Sequence, residues 1–356
     1  MLQRSNEAVD LRSLDLDGLK EAVAPLGLPA YRAGQMFDWL QAKGVAGAGE
    51  MTDLPKALRG QLQSRYLITW CEIARRQESK DGTVKYLFRL HDGEWIESVV
   101  MRYQHGRSIC VSSQCGCRMG CVFCASGANG CARGLLPGEI LAQVQAAQRD
   151  LGEPIPRVVL MGMGEPLDNY ENVLQFIKLA SDPRGLCISQ RKISLSTCGI
   201  VPGIDRLARE RLGVTLSVSL HAPEDKLRSE LMPVNRAWPL NELLRACKDY
   251  AQATSRRISF EYAMFRGEND SREQAEQLAA LLRGMLCHVN LIPANAGGGA
   301  QGTEGRGMRG SDRETIRMFQ EILAGKGIAC TVRRSLGRDI DAACGQLLGK
   351  QRSPEP

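Results

Sequence analysis

Three cysteines within eight residues, in the run Cys117-Arg-Met-Gly-Cys121-Val-Phe-Cys124, offer the most specific chemistry in this chain. Thiolates are soft ligands, and iron–sulfur clusters are held by them. A [4Fe–4S] cube has four irons to ligate. Three thiolates on one short loop can hold three and leave the fourth open to a ligand bearing an amine and a carboxylate. Zinc is the competing occupant; a structural zinc site takes four protein ligands, and Cys115 or His105 could supply the fourth. Spacing alone leaves both readings open. The chain has 13 cysteines in 356 residues, five of them between Cys110 and Cys124. An odd, clustered set in a long chain reads as metal or redox chemistry in a reducing compartment, not as a disulfide scaffold.

Further groups suit a polar ligand. In VLMGMGEPLDNY a strand pattern ends at a Gly-Met-Gly-Glu turn, where Gly164 lets backbone approach closely and Glu165 offers a carboxylate to an ammonium. By pattern alone, an ordinary strand-to-helix turn explains it equally well. Ser196 in ISLSTCG, Ser219, Leu220 and His221 in VSLHAP, and Asn295 in NLIPANA stand at the ends of other strand patterns. They offer hydroxyl, amide and imidazole groups. Two remote cysteines, Cys110 and Cys344, read blandly as small buried hydrophobes. Glu97, in WIES, reads blandly as a solvated strand residue.

Elements must position these groups. Residues 1 to about 75 read as helical: Leu16, Leu19, Val23 and Leu26, then Ala33, Met36, Phe37 and Leu40, then Leu54, Leu58 and Leu62 recur at helical spacing. Alternation over Val84–Leu90 and Ile96–Val100, around His91-Asp92-Gly93, predicts a β-hairpin. From Ser108 onward, strands at 109–111, 157–161, 192–196, 214–220, 258–264, 288–292 and 328–332 alternate with helices at 136–150, 169–181, 201–211, 240–253, 271–284 and 311–325. That alternation predicts an α/β fold with a parallel sheet, closed or partly closed into a barrel. Residues 296–310 form a glycine-rich loop, and a tail follows Leu348. Hydrophobic residues make up 43% and charged residues 24%; Lys and Arg outnumber Asp and Glu by 46 to 40, a mild excess compatible with a phosphate-bearing partner. No apolar run is long enough to cross a bilayer, and the charged amino terminus lacks a secretory core, so a cytoplasmic location is expected.

The run Cys-x3-Cys-x-aromatic-Cys, with Phe123 as the aromatic, resembles the signature of the radical S-adenosylmethionine superfamily. CVSSQCGC at 110–117, DIDAACGQL at 339–347, and the helical segments YRAGQMFDWL and MTDLPKALR are similar to the RlmN/Cfr family of adenosine methyltransferases acting on ribosomal RNA. The similarity covers nearly the whole chain. It implies a partial (β/α)6 TIM-like barrel with a small helical domain in front: 1–78 helical and RNA-binding, 79–107 a β-hairpin extension, 108–348 the barrel and catalytic segment, 349–356 a tail. It implies a [4Fe–4S] cluster on Cys117, Cys121 and Cys124, with S-adenosylmethionine held by Gly164, Glu165, Ser196, Ser219, Leu220, His221 and Asn295. Cys344 would carry a methyl group as S-methylcysteine, Cys110 would resolve the protein–RNA crosslink through a transient disulfide, and Glu97 would accept a proton. The implied reaction is methylation of C2 of adenosine 2503 in 23S rRNA, with adenosine 37 of tRNA a second candidate substrate. A flavodoxin or ferredoxin would supply electrons to a monomeric enzyme without a membrane partner.

The basic residues Arg32, Lys43, Lys56, Arg59 and Arg65 would meet RNA phosphates, although charge alone reads as a solvated helical face. The alternatives are methylation at C8 of the same adenosine, a non-catalytic iron–sulfur or zinc RNA-binding protein, and a radical enzyme acting on a small molecule. The chain departs from the family pattern at its glycine-rich loop, at RRSLGRDID and at Cys115.

Overall fold

The computed structural model describes residues 8–104, 106–128, 130–294, 308–340, 342 and 347. The Asp15 carboxylate accepts from the Gly18 amide at 2.8 Å and starts α1 (Leu16–Val23). α2 (Tyr31–Phe37) widens into a π-type turn over Asp38–Ala42, and α3 (Lys56–Arg65) follows. Of the apolar positions read at helical spacing, Leu19, Val23, Ala33, Met36, Phe37, Leu40, Leu54, Leu58 and Leu62 are buried, while Leu16 and Leu26 are half-buried.

The helical pattern ends sooner than residue 75. Glu72–Glu78 is a strand, β1, pairing antiparallel with β2 (Val84–Arg89), which pairs with β3 (Trp95–Tyr103), which pairs with β4 (Gly106–Cys110). The expected hairpin is thus part of a larger antiparallel extension. β1 shows no alternation because it is the edge of the sheet, and nearly every residue of Glu-Ile-Ala-Arg-Arg-Gln-Glu is exposed.

A small antiparallel pair, β5 (Gln114–Gly116) and β6 (Cys131–Gly134), brackets the cysteine loop. The alternating region then runs α4 (Pro137–Leu151), β7 (Val158–Leu160), α5 (Tyr170–Ser181), β8 (Ile193–Thr197), α6 (Val201–Glu210), β9 (Thr215–Ser219), α7 (Asp225–Leu231), α8 (Leu240–Thr254), β10 (Ile258–Met264), α9 (Arg272–Leu281), β11 (Cys287–Pro293), α10 (Arg313–Gly325) and β12 (Cys330–Val332). β4 and β7 to β12 are parallel in strict chain order, giving six β/α units and a short final strand. This is the α/β partial barrel expected; its end strands, β1 and β12, do not pair.

One apolar cluster covers the outer face of this sheet. Phe88, Ile109, Leu160, Leu195, Val218 and Leu291 share it with barrel helices and with the amino-terminal helices. Arg12, fully buried, ties the two regions. Its guanidinium donates to the Thr69 carbonyl at 2.6 Å, to the Leu40 carbonyl at 2.8 Å, and to Gln145 of α4 and the Val45 carbonyl. Among the described residues no helix is long and apolar enough to cross a membrane.

Candidate active site

Paired residues on neighbouring strands share a face, so register alone defines what the inner face carries. One row runs Lys85, Val99, Cys110, Val159, Ser194, Thr215. The next includes Ser196, Ser217, Ser259 and His288, and a third Ser219, Glu261, Asn290 and Thr331. Glu97 precedes Val99 by two residues and faces the same way. Closed barrels fill this space with Val, Ile and Leu. Here it is lined with hydroxyl, amide and carboxylate groups, and Ser194, Ser196, Thr215 and Ser219 are only half-buried. The interior is built for a polar occupant.

Cys117, Cys121 and Cys124 lie on the loop between β5 and β6, beyond the carboxyl end of β4. Gly116 and Gly130 cross so closely that a Cβ on Gly116, at φ 89°, would sit 2.0 Å from the Gly130 carbonyl oxygen. The Cys117 amide donates to that oxygen at 2.8 Å, closing the loop. The Val122 amide donates to the Leu231 carbonyl at 3.1 Å, so α7 supports the loop from below. Phe123 meets His221 edge-on, with centroids 4.9 Å apart, and joins the loop to the end of β9. Burial pushes the Cys117 thiol up to about 12, against a hydrogen bond from the Met119 amide that favours the thiolate. Burial also raises Cys121, and the charges of Cys124 and Cys117 add to that rise. Three soft sulfurs, half-buried on one loop, suit as a donor set a cluster that spreads its ligands over three irons.

The Gly-Met-Gly-Glu turn lies beside that loop, after β7. Gly164 has φ 101°, and a Cβ there would meet the Gln114 Cβ at 2.6 Å, so only glycine lets the chain pass. Gln114 also accepts from the Glu165 amide at 2.8 Å. Glu165 is buried; its oxygens accept from the Leu167 amide at 3.0 Å and the Cys198 amide at 2.7 Å. Burial raises this carboxyl's pKa, partly opposed by the two amides.

His221 is buried in a left-handed backbone conformation, φ 56°. Its Nδ1 accepts from the Ala263 amide at 2.9 Å, which leaves the ring proton on Nε2. Ser196 and Ser219 face the interior. The Leu220 side chain lies in the core; its amide donates to the Glu261 carbonyl and its carbonyl accepts from Arg228.

Cys110 is buried in an inner-face apolar cluster with Val99, Met101, Met163, Ala342 and Leu347. The Ser126 hydroxyl, just past the cysteine loop, donates to the Leu347 carbonyl at 2.9 Å. Glu97 is not solvated: it forms a buried ion pair with Lys85 at 3.0 Å. Cys344, Asn295, His105 and nearly all of the glycine-rich loop lie outside the described residues. Sequence reading missed Lys85, Gln114 and Arg228. Gln114 stood inside a quoted motif, whereas an inward-facing Lys on a strand and an Arg in a short helix carry no signal of their own.

Residues 111–279 match the Radical SAM superfamily, and residues 9–68 match the ribosomal RNA large subunit methyltransferase N-terminal domain. A protein of Pelotomaculum thermopropionicum, a probable dual-specificity RNA methyltransferase RlmN, is 53% identical over 97% of this chain and 92% of its own length. A like-named protein of Lachnospira eligens is 48% identical over 96% of each. The crystal structure of a radical SAM methyltransferase from Sphaerobacter thermophilus superposes with a TM-score of 0.90 at 46% identity, over 96% of this chain and all of that one. Fold and matches together define a radical S-adenosylmethionine enzyme, working with a [4Fe–4S] cluster and S-adenosylmethionine. The chain belongs to the RlmN family of radical SAM RNA methyltransferases.

Proposed function

We propose that this enzyme methylates C2 of adenosine 2503 in 23S rRNA, and adenosine 37 of tRNA as a second substrate, through a methyl group carried on Cys344. The observation that carries the reading is one inner-face cluster. Ala342 and Leu347, the described residues on either side of Cys344, pack with Cys110, and Leu347 is bonded to Ser126 beside the cysteine loop. The relatives' name, dual-specificity RNA methyltransferase, supports RNA as the substrate and two RNA targets.

In this reading Cys117, Cys121 and Cys124 would be the residues that hold the cluster. Glu165 and the Gly164 backbone receive the ammonium of S-adenosylmethionine, and Ser196, Ser219, Leu220, His221 and Asn295 line the rest of it. When bound, the cluster and cofactor supply the hydrogen-abstracting radical that makes an unreactive aromatic carbon open to substitution. The chain's own residues do the remainder. Cys344 presents its methyl carbon to the adenine. Glu97, held in place by the Lys85 ammonium, would take the proton from the substituted ring carbon once the adduct's unpaired electron had returned to the oxidised cluster. Cys110 then attacks the Cys344 sulfur as a thiolate: the S–S bond forms, the C–S bond breaks, and the departing carbon keeps the electron pair and is protonated. An external thiol reduces the disulfide. A flavodoxin- or ferredoxin-like donor supplies electrons. Lys43, Lys56 and Arg65 are exposed on the amino-terminal helices and meet RNA phosphates.

Anaerobically reconstituted enzyme, rRNA fragment and methyl-labelled S-adenosylmethionine test this. Label is expected on C2 of adenosine by nucleoside mass mapping; label on C8 would replace that target with the alternative one. Cys110→Ala is expected to trap RNA covalently on the protein as a shifted gel band, and normal turnover without an adduct would refute the resolving role.

A further inference from the structure

Arg228 lies in α7 and is fully buried. Its Nε donates to the Leu220 carbonyl at 3.1 Å, Nη1 to Asn235 Oδ1 at 2.7 Å, and Nη2 to the Cys198 and Ser219 carbonyls at 2.8 and 3.0 Å. Every one of these acceptors is a neutral oxygen. Of the two acids on its own helix, Asp225 accepts from the Asn235 side chain and the Leu240 amide. No carboxylate among the described residues pairs with the guanidinium. A buried cation without a counter-ion is costly, and carbonyl dipoles offset only part of that cost.

The helix that carries Arg228 packs directly against the cysteine loop. α7 carries the cysteine loop through the bond from Val122 to Leu231. Cys198, whose carbonyl holds Arg228, gives its amide to Glu165. Leu227 and Leu231 of α7 pack with Cys121, Val122 and Phe123 in one apolar cluster.

We propose that Arg228 is the built-in counter-charge of the three-thiolate cluster, setting its reduction potential as well as tying together the ends of β8 and β9. The inference rests on Cys117, Cys121 and Cys124 being the cluster ligands. Three thiolates around an oxidised [4Fe–4S]2+ core give a net charge of about −1, and one added electron gives about −2. A fixed cation in a medium of low dielectric favours the more negative state, so it raises the potential.

The test is a dithionite titration of reconstituted enzyme without S-adenosylmethionine, followed by electron paramagnetic resonance. Arg228→Gln is expected to shift the midpoint to more negative potential, while Arg228→Lys, which keeps the charge and loses the fork, stays near the wild-type value. An unshifted Arg228→Gln midpoint overturns the proposal. So does an Arg228→Lys shift as large as that of Arg228→Gln, since only the architecture would then matter. Should Arg228→Gln take up no cluster, iron content decides: uptake by Arg228→Lys supports the counter-charge, and loss in both variants overturns it. Failure of the wild-type chain to take up a cluster would sink the ligand assignment instead, a separate result.

Discussion

His221 shows how much backbone and burial decide about one side chain. Burial is the larger cause and the neighbouring Arg228 charge the smaller; together they pull its pKa from 6.5 down to about 3. The ring is therefore neutral in the folded protein and presents an Nε2 proton to the interior. Because the folded value lies below the unfolded one, the unfolded chain binds the proton first as pH falls. The stability contributed by the neutral ring is complete above pH 6.5 and is lost towards pH 3, by at most about 1.4 kcal/mol per pH unit. His221→Gln is expected to flatten the acid dependence of urea unfolding between pH 6.5 and 4, whatever it does to stability at pH 7. An unchanged slope would contradict a buried neutral ring. At this scale the sequence was informative where a residue type is rare in its pattern, as with three cysteines on one loop or a glutamate after two glycines. It was silent on Lys85 and Arg228, whose meaning comes from what tertiary packing leaves beside them.

Elements were legible in proportion to how much of them is buried. β10 buries nearly all of its residues, and its predicted span, 258–264, is the observed one. The strand β1, exposed on both faces, left no alternation to read, and β5 and β6 are too short for a period. α7 has seven residues and buries an arginine, so its apolar stripe is only Leu227 and Leu231. The antiparallel extension has the more important consequence for function. Lys85 on β2 and Glu97 on β3 form a buried ion pair, and Lys85→Met takes the ammonium away from a buried carboxylate. The expected loss is about 3–5 kcal/mol. Lys85→Met with Glu97→Gln should regain most of it, because the pair together is worth far less than the cost of breaking it. Guanidinium denaturation midpoints of the two variants measure this, and equal losses would refute the pairing.

For the whole molecule, the sequence reads as a helical front piece followed by a barrel, and the family resemblance implies a division near residue 78. The packing argues for tighter union. The apolar cluster behind the sheet includes Leu19, Met36, Phe37 and Leu62 together with Val144, Phe176 and Leu195. Arg12 reaches from the front piece to Gln145 and closes three backbone carbonyls on the way. Calorimetry of the apoprotein is expected to show one cooperative transition. Arg12→Met should lower its midpoint by several degrees, for a loss of about 3 kcal/mol or more as those carbonyls lose their donor. Two separate transitions in the wild-type chain would show the regions to be independent.

The withdrawn sulfurs of the cysteine loop also matter before any cluster arrives. With Cys117 near 12 and Cys121 raised as well, both thiols keep their protons at neutral pH in the metal-free chain. A protonated thiol is a poor nucleophile and a poor target for oxidants. These two thiols are therefore expected to react slowly in the metal-free chain. Iodoacetamide at pH 8, with mass mapping of the products, should label Cys117 and Cys121 of metal-free enzyme about a hundredfold or more slowly than free cysteine. Labelling at the free-cysteine rate would show that this shelter does not exist.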